Sequence, residues 1–70
     1  MKRIIFSNHA AIRCLERDIS QETARLIIET ADYTKRVSEE KVIAVKMIND
    51  RKINVVYVEK DKYIKVVTVY

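Results

Sequence analysis

The sequence predicts an α+β fold with two N-terminal helices packed on a three- or four-stranded antiparallel sheet, in the order (β)ααβββ. Two observations lead to this class. Residues 8–31 carry apolar side chains at helical spacing behind two serines, and residues 41–70 contain three segments rich in Val and Ile. Short polar connections between those segments predict antiparallel neighbours. A chain of 70 residues has room for one core, so a single domain over residues 1–70 is expected.

The first elements are a short strand or extended lead-in over residues 3–6 and a helix from Asn8 to about Arg17. Ser7 is the predicted N-cap, because its hydroxyl can accept a hydrogen bond from a free backbone N–H of the first turn. Placing residues at 100° intervals predicts the core side of this helix to be Ala10, Ala11, Cys14 and Leu15.

Ser20 is the predicted cap of a second helix that runs to about Ala31, with Glu22 suited to the positive helix start. Its buried stripe is predicted to be Ala24, Ile27, Ile28 and Ala31. Residues 32–40 are polar and predict a loop. Three strands follow over residues 41–48, 53–58 and 63–70, joined by turns at 49–52 and 59–62.

The predicted strands are apolar on both faces. In the first of them, Val42 and Ala44 alternate with Ile43 and Val45. Two short helices can cover only one face, so the other would expose valine and tyrosine, and such a patch usually meets a partner. A homodimer or a cognate protein is therefore expected on that face. The alternative is that Lys46, Lys65 and the twist of a small sheet cover enough of the patch.

The composition limits the classes of function. Lys and Arg number 14 against 10 Asp and Glu, and the net charge of +4 permits nucleic acid or another anionic partner. The absence of glycine excludes the glycine-rich phosphate loops of P-loop and dinucleotide-binding proteins. One Cys and one His fall short of a zinc site, and no cofactor is expected.

Cys14 cannot form an internal disulfide, which favours a reducing, cytoplasmic setting. It lies on the apolar side of the first helix and is predicted to be a small buried hydrophobe rather than a nucleophile. No apolar run approaches the length of a membrane span, so no membrane partner is expected.

The most informative motif combines His9, Arg13 and Arg17. On a helix these side chains fall within about 80° of one another and form one stripe. Histidine has an ordinary pKa near neutrality, so His9 is a candidate general acid or base, and two guanidiniums can bind phosphate oxygens bidentately. A structural role is as plausible: His9 could cap its helix, and the arginines could pair with Glu16 or other nearby carboxylates.

A longer pattern resembles a known family. It comprises Phe6-Ser7-Asn8-His9-Ala10 with Arg13 and Arg17, then Ile19-Ser20, and the ending Val66-Val67-Thr68-Val69-Tyr70. In order and spacing these motifs resemble the small prokaryotic domain-of-unknown-function family numbered 4258, over nearly the whole chain. That family often has glycine after the second arginine and between the strands, where this chain has Asp18 and Asn49-Asp50.

The resemblance implies a relation to the superfamily of barnase-, EndoU-, colicin- and RelE-like ribonucleases and toxins. Those proteins share two N-terminal helices on an antiparallel sheet. Many are metal-independent ribonucleases, and many pair with an antitoxin. The implied function is a toxin-like RNA-binding domain and, in its most specific form, a metal-independent endoribonuclease.

Such a reaction needs a base for the 2′-OH, an acid for the leaving oxygen and cations for the phosphorane. His9 would be the general acid or base, and Thr68 would add a hydroxyl if the last strand lies beside the first helix. The predicted catalytic residues are His9, Arg13, Arg17 and Thr68. The predicted nucleic-acid-binding residues are Arg13, Arg17, Tyr57 and Tyr70.

The alternative function is a non-catalytic protein-interaction module that dimerises or docks through the exposed sheet face. A metal nuclease is disfavoured, and no metal site is expected. Its carboxylates would have to come from predicted loops and turns that share no face, namely Asp18, Asp32, Asp50 and Asp61.

Overall fold

The computed structural model describes residues 2–70, and its strands form one five-stranded sheet. The elements in chain order are β1 (Arg3–Phe6), α1 (Asn8–Glu16), α2 (Gln21–Thr30), β2 (Tyr33–Arg36), β3 (Lys41–Ile48), β4 (Arg51–Glu59) and β5 (Tyr63–Val69). Across the sheet the order is β1-β5-β4-β3-β2. β1 runs parallel to β5, and the other neighbouring pairs are antiparallel.

The predicted α+β class is confirmed, but the predicted three- or four-stranded antiparallel sheet is wrong. The sheet is mixed and gains β2 inside the segment 32–40, for which the polar sequence predicts a loop. All four residues of β2 are exposed, so no apolar alternation marks it, and its pairing with β3 makes it a strand. In the parallel pair Ile4 opposes Ile64, a partner too distant along the chain for local periodicity to reveal.

The β3–β4 hairpin turns on two residues rather than the predicted four. Asn49 and Asp50 have φ of 50° and 68°, as the central positions of a type I′ turn require. β4 therefore begins at Arg51 and not at Ile53. The tighter turn is possible without glycine because Asn and Asp tolerate the left-handed region better than other side chains do.

Asp18 occupies the same left-handed region, with φ of 56°, just beyond α1. The Ile19 N–H donates to the Cys14 carbonyl at 2.8 Å and the Asp18 N–H to the Leu15 carbonyl at 3.2 Å, the hydrogen-bond pattern of a Schellman motif. All three left-handed residues thus stand where the resembled family often has glycine.

Both predicted helix caps are confirmed. The Ser7 hydroxyl accepts from the Ala10 N–H at 3.1 Å, and the Ser20 hydroxyl accepts from the Thr23 N–H at 3.0 Å. Ser7 also fastens α1 to the sheet: its N–H and hydroxyl donate to the carbonyls of two consecutive β5 residues, at 3.1 and 3.2 Å. The start of α1 therefore lies against the C-terminal half of β5.

The core lies between the helices and one face of the sheet. Ala10 and Cys14 of α1 and Ala24 and Ile27 of α2 pack there on buried strand residues, which are Val42, Ala44, Ile53, Val55, Tyr57, Val66 and Val69. The prediction that Leu15 belongs to this core is wrong, since its side chain is 83% exposed. The buried stripe of α1 consists of Ala10 and Cys14, and Ala11 beside it is half-buried.

A β-bulge in β5 changes which side chains face the helices. Val66 pairs with Tyr57 and Thr68 with Val56, so Val67 is an extra residue between adjacent partners on β4. Strict alternation from the buried Val66 would put Thr68 on the helix-covered face. Because of the bulge, Val69 enters the core instead, and Thr68 lies on the opposite face with Val56.

Candidate nucleic-acid interface

The sheet face away from the helices, called the open face below, has an apolar centre. Cross-strand partners share a face, so the register identifies its members. Val45 and Val56 are nearly inaccessible yet lie outside the core cluster, and Ile43 and Val58 are half-buried beside them. These four side chains form a smooth floor in the middle of β3 and β4.

Five cationic side chains surround that floor. The register assigns to the open face Arg3, Lys35, Lys41, Lys52 and Lys65, all of them exposed. It assigns no Asp or Glu of the paired strand residues to that face. A row of positive charge without carboxylates attracts an anion and repels a second copy of itself.

Four carboxylates of the described chain form ion pairs, and all four pair with cations outside the open face. The ion pairs within residues 2–70 are Lys2–Glu59 at 3.0 Å, Arg13–Glu16 and Lys46–Asp32 at 3.6 Å, and Lys60–Glu40. None of these pairs uses an open-face cation. The five ammonium and guanidinium groups of the open face are thus available to phosphate oxygens.

Three exposed tyrosines complete the open face. Tyr33 opposes Val45, Val45 opposes Asn54, and the backbones of Asn54 and Tyr70 exchange hydrogen bonds at 2.8 and 2.9 Å. Tyr33 and Tyr70 therefore stand at the two ends of one cross-strand row, roughly 14 Å apart at three strand spacings. Tyr63 lies at the start of β5, opposite Arg3. Exposed aromatic rings among cations are the elements of a stacking platform for bases.

The predicted α1 stripe belongs to the helix layer. His9 is exposed in the first turn of α1, two residues after the serine that is fastened to β5. Arg13 is half-buried, its Nη1 lies 3.6 Å from the Glu16 carboxylate, and its Nε is buried without a hydrogen-bond partner among residues 2–70. Arg17 is exposed at the end of α1, where its carbonyl accepts from Arg51 Nη2 at 3.0 Å.

The sheet divides the remaining predicted site residues. Because of the bulge in β5, Thr68 and Tyr70 lie on the open face, and the sheet separates them from the α1 stripe. Tyr57 lies in the core and is only 7% exposed, so its ring has no free face for a base. Burial, and next the nearby Glu59, raises the pKa of the Tyr57 hydroxyl, while Arg36 acts in the opposite direction.

Of the open-face cations, sequence reasoning named only Lys65, as a cover for the apolar face together with Lys46, which lies on the helix side; it did not single out Tyr33. A signal was present in β3, where alternation puts Lys41 on the same face as Ile43 and Val45. The same alternation cannot place Tyr33 and Lys35, because all four residues of β2 are exposed and no apolar residue marks a buried face. Arg3 can be assigned to the open face only from the parallel pairing of β1 with β5, in which it opposes Tyr63.

Other chemistry finds little support in the described chain. Cys14 is buried, and burial raises the pKa of its thiol, so little of the nucleophilic thiolate forms near neutral pH. Within residues 2–70 no three His, Cys, Asp or Glu side chains are grouped to hold a metal ion. Neither α1 nor α2, at nine and ten residues, has the length and apolar character to cross a bilayer.

Comparison with known proteins gives one positive result. The profile of a family described as Domain of unknown function (DUF4258) matches residues 6–70, which is almost the whole chain. No curated protein matches the chain, and no solved structure matches it.

Proposed function

The chain belongs to the DUF4258 family, and we propose that this member binds single-stranded RNA on the open face of its sheet. The observation that carries the proposal is the segregation of charge: five unpaired cations and three exposed tyrosines share a face without an Asp or Glu among its strand residues. Cations that follow a backbone and rings that stack bases are the two recurring parts of single-strand binding surfaces.

The shape of the surface favours a single strand over a duplex. The open face is the surface of a sheet, and among residues 2–70 both helices pack on the other face, so this face presents no helix that could enter a groove. Four-stranded sheets that display aromatic rings are a recurring way of binding splayed single-stranded bases. Thr68, half-buried on this face beside Val56, adds a hydroxyl that can bond to a phosphate or a 2′-OH.

The first test is the salt dependence of affinity for a fluorescent single-stranded RNA, measured by anisotropy. Lys52→Gln and Lys65→Gln should each weaken binding and lower the slope of log K against log salt by about 0.7, the loss of one phosphate contact. Lys60→Gln is the matched control, because Lys60 lies beyond β4 and pairs with Glu40. Equal losses in all three variants would contradict an open-face site.

The second test addresses the rings. Tyr70→Ala and Tyr33→Ala should each cost about 1–3 kcal/mol of binding free energy, the usual range for a base–aromatic stack. Tyr70→Phe keeps the ring and should keep the affinity. If Tyr70→Phe loses as much as Tyr70→Ala, the hydroxyl rather than stacking is responsible.

Cleavage is a separate part of the proposal and rests on His9. The serine two residues before it is bonded to the β5 carbonyl next to Thr68, so α1 begins at the edge that an RNA leaving the open face would pass. A metal-independent ribonuclease of this kind should leave a 2′,3′-cyclic phosphate in the presence of a chelator. His9→Gln should abolish that product while RNA affinity is kept, and an intact RNA after incubation with the unaltered protein would limit the function to binding.

A protein partner is the second candidate, favoured by Ile5 and Met47, which are exposed on the open face. A second copy is the poorer fit, because a twofold contact would set five cations against five cations. An acidic partner such as a cognate antitoxin would meet no such repulsion. Light scattering after size exclusion should give a monomer at low salt, and a dimer that fails to bind RNA would favour the interaction module.

A further inference from the structure

A cavity of about 210 Å³ lies where the α1–α2 connection meets the β3–β4 hairpin. It is separate from the open face, and none of the site residues discussed above lines it. Ile19, Ile48 and Ile53 give it apolar walls. Ile19 and Ile53 are buried and so hold their positions through the core.

Four polar residues line the rest of the cavity: Asp18, Thr23, Asn49 and Arg51. Arg51 is held in place by one bond, from Nη2 to the Arg17 carbonyl at 3.0 Å, and its other guanidinium N–H groups remain free to donate. Asp18 forms no ion pair within residues 2–70. The cavity therefore offers a carboxylate that accepts and a guanidinium that donates, beside isoleucine side chains.

We propose that this cavity binds a guanine base, an inference that rests on the proposed RNA-binding function and names its base preference. Guanine is the base with two adjacent donors, N1–H and N2–H, and two adjacent acceptors, O6 and N7. A carboxylate can accept from the first pair with its two oxygens, and an arginine donates bidentately to the second. Adenine and uracil alternate single donors and acceptors, and cytosine has the adjacent acceptors N3 and O2 but no adjacent pair of donors, so each satisfies one of the two groups at most in this way.

The isoleucine side chains offer an apolar surface to one face of the ring, and Ile19 and Ile53 are nearly fully buried in the core. Pockets that take a base out of a strand combine apolar contact with hydrogen bonds to the edge of the base. Asn49 and Thr23 contribute further donors and acceptors at the rim. The isoleucines, Asn49 and Thr23 are uncharged, so the charged contacts with the base come from Asp18 and Arg51.

The backbone supplies a set of matched variants. Asp18, Asn49 and Asp50 all have positive φ, where glycine is less strained. Asp18 and Asn49 line the cavity, but Asp50 does not. Glycine at any of the three should relieve strain, whereas only the first two substitutions remove a group from the cavity.

The test uses the full chain with guanosine 5′-monophosphate and with single-stranded RNAs that contain one guanine or none. Guanosine monophosphate and the guanine-containing RNA should bind roughly tenfold or more tightly than their adenine, cytosine or uracil counterparts. Asp18→Gly and Asp18→Asn should abolish this preference, and Asn49→Gly, which removes one polar group from the rim, should weaken it. The two glycine variants should nevertheless have a Tm equal to or above that of the unaltered protein, and Asp50→Gly should keep the preference.

The outcomes separate this inference from the proposed function. RNA binding without guanine preference, or a preference that survives Asp18→Asn, overturns the cavity proposal and leaves the open face standing. Guanosine monophosphate binding without RNA binding supports the cavity and overturns the open-face proposal. Lys65→Gln, which lies on the open face, should weaken RNA binding but leave the affinity for guanosine monophosphate unchanged.

Discussion

The two faces of the sheet have similar centres but opposite surroundings. On β4, Val55 faces the helices and is fully buried, while its neighbour Val56 faces the open side and is 8% exposed. Val55 is covered by helices, whereas Val56 is covered only by side chains of its own face. The comparison teaches that burial of a single residue does not distinguish a core from the floor of a binding surface.

The rims of the two faces differ more than their centres. Lys46, on the helix side, is bonded to the Thr30 carbonyl at 3.0 Å and lies 3.6 Å from Asp32. Lys52 and Lys65, on the open side, have no such partner within residues 2–70. Lys46, which packs against the helix layer, is thus paired, whereas the two lysines proposed to bind RNA are free within the described residues.

The largest expected effect tests whether the helix-covered face alone stabilises the fold. Ile27→Ala removes a fully buried side chain between α2 and the sheet, and it should lower the free energy of unfolding by about 2–5 kcal/mol. Met47→Ala, on the open face and 54% exposed, should change it by less than about 0.5 kcal/mol. Urea unfolding of both variants measures the difference, and similar losses would mean that the open face is also a stabilising core.

A matched pair on one strand sharpens the comparison. Val55→Thr buries a hydroxyl among apolar groups and should cost about 1–3 kcal/mol of unfolding free energy. Val56→Thr makes the same change one residue later, where the hydroxyl can reach water beside Thr68, and it should cost less by about 1 kcal/mol. Equal costs in urea unfolding would show that the open floor is as dry as the core.

The next prediction concerns how the helix layer is fastened to the sheet. Ser7→Ala removes the N-cap of α1 together with its bond to β5, and it should cost about 1–2 kcal/mol. Ser20→Ala removes a cap without a link to the sheet and should cost about 1 kcal/mol or less. Thermal unfolding ranks the two, and a reversed order would mean that the link to β5 adds no stability.

The smallest effect is a pH dependence carried by Tyr57 on the covered face. Its pKa is raised mainly by burial, so the unfolded chain ionises this group first, near the ordinary tyrosine pKa of about 10. Its contribution to stability is therefore complete below pH 10 and is lost as the pH rises through the folded-state pKa. Tyr57→Phe should show a shallower loss of stability above pH 10 in urea titrations, whereas Tyr63→Phe on the open face should retain the full loss because Tyr57 is still present.

The helix caps and the tight turns were predictable because they depend on contacts between residues close together in the sequence. The serine hydroxyls of Ser7 and Ser20 find free N–H groups three residues on, and Asp18 and Asn49 supply left-handed turns in a chain without glycine. Leu15 escaped prediction because the width of a buried stripe depends on what packs against it, not on spacing alone. β2 escaped because an edge strand with every residue exposed has no period to detect.

The candidate site was predictable only in its residue types. The sequence by itself determined the order of the main elements, the helix caps, the net charge of +4 and an apolar second sheet face. Only the tertiary structure decided which cations and rings share that face, because strand pairing joins residues far apart in the chain. The bulge at Val67 decided the rest: one extra residue reverses the alternation, so Thr68 and Tyr70 lie on the open face rather than beside His9.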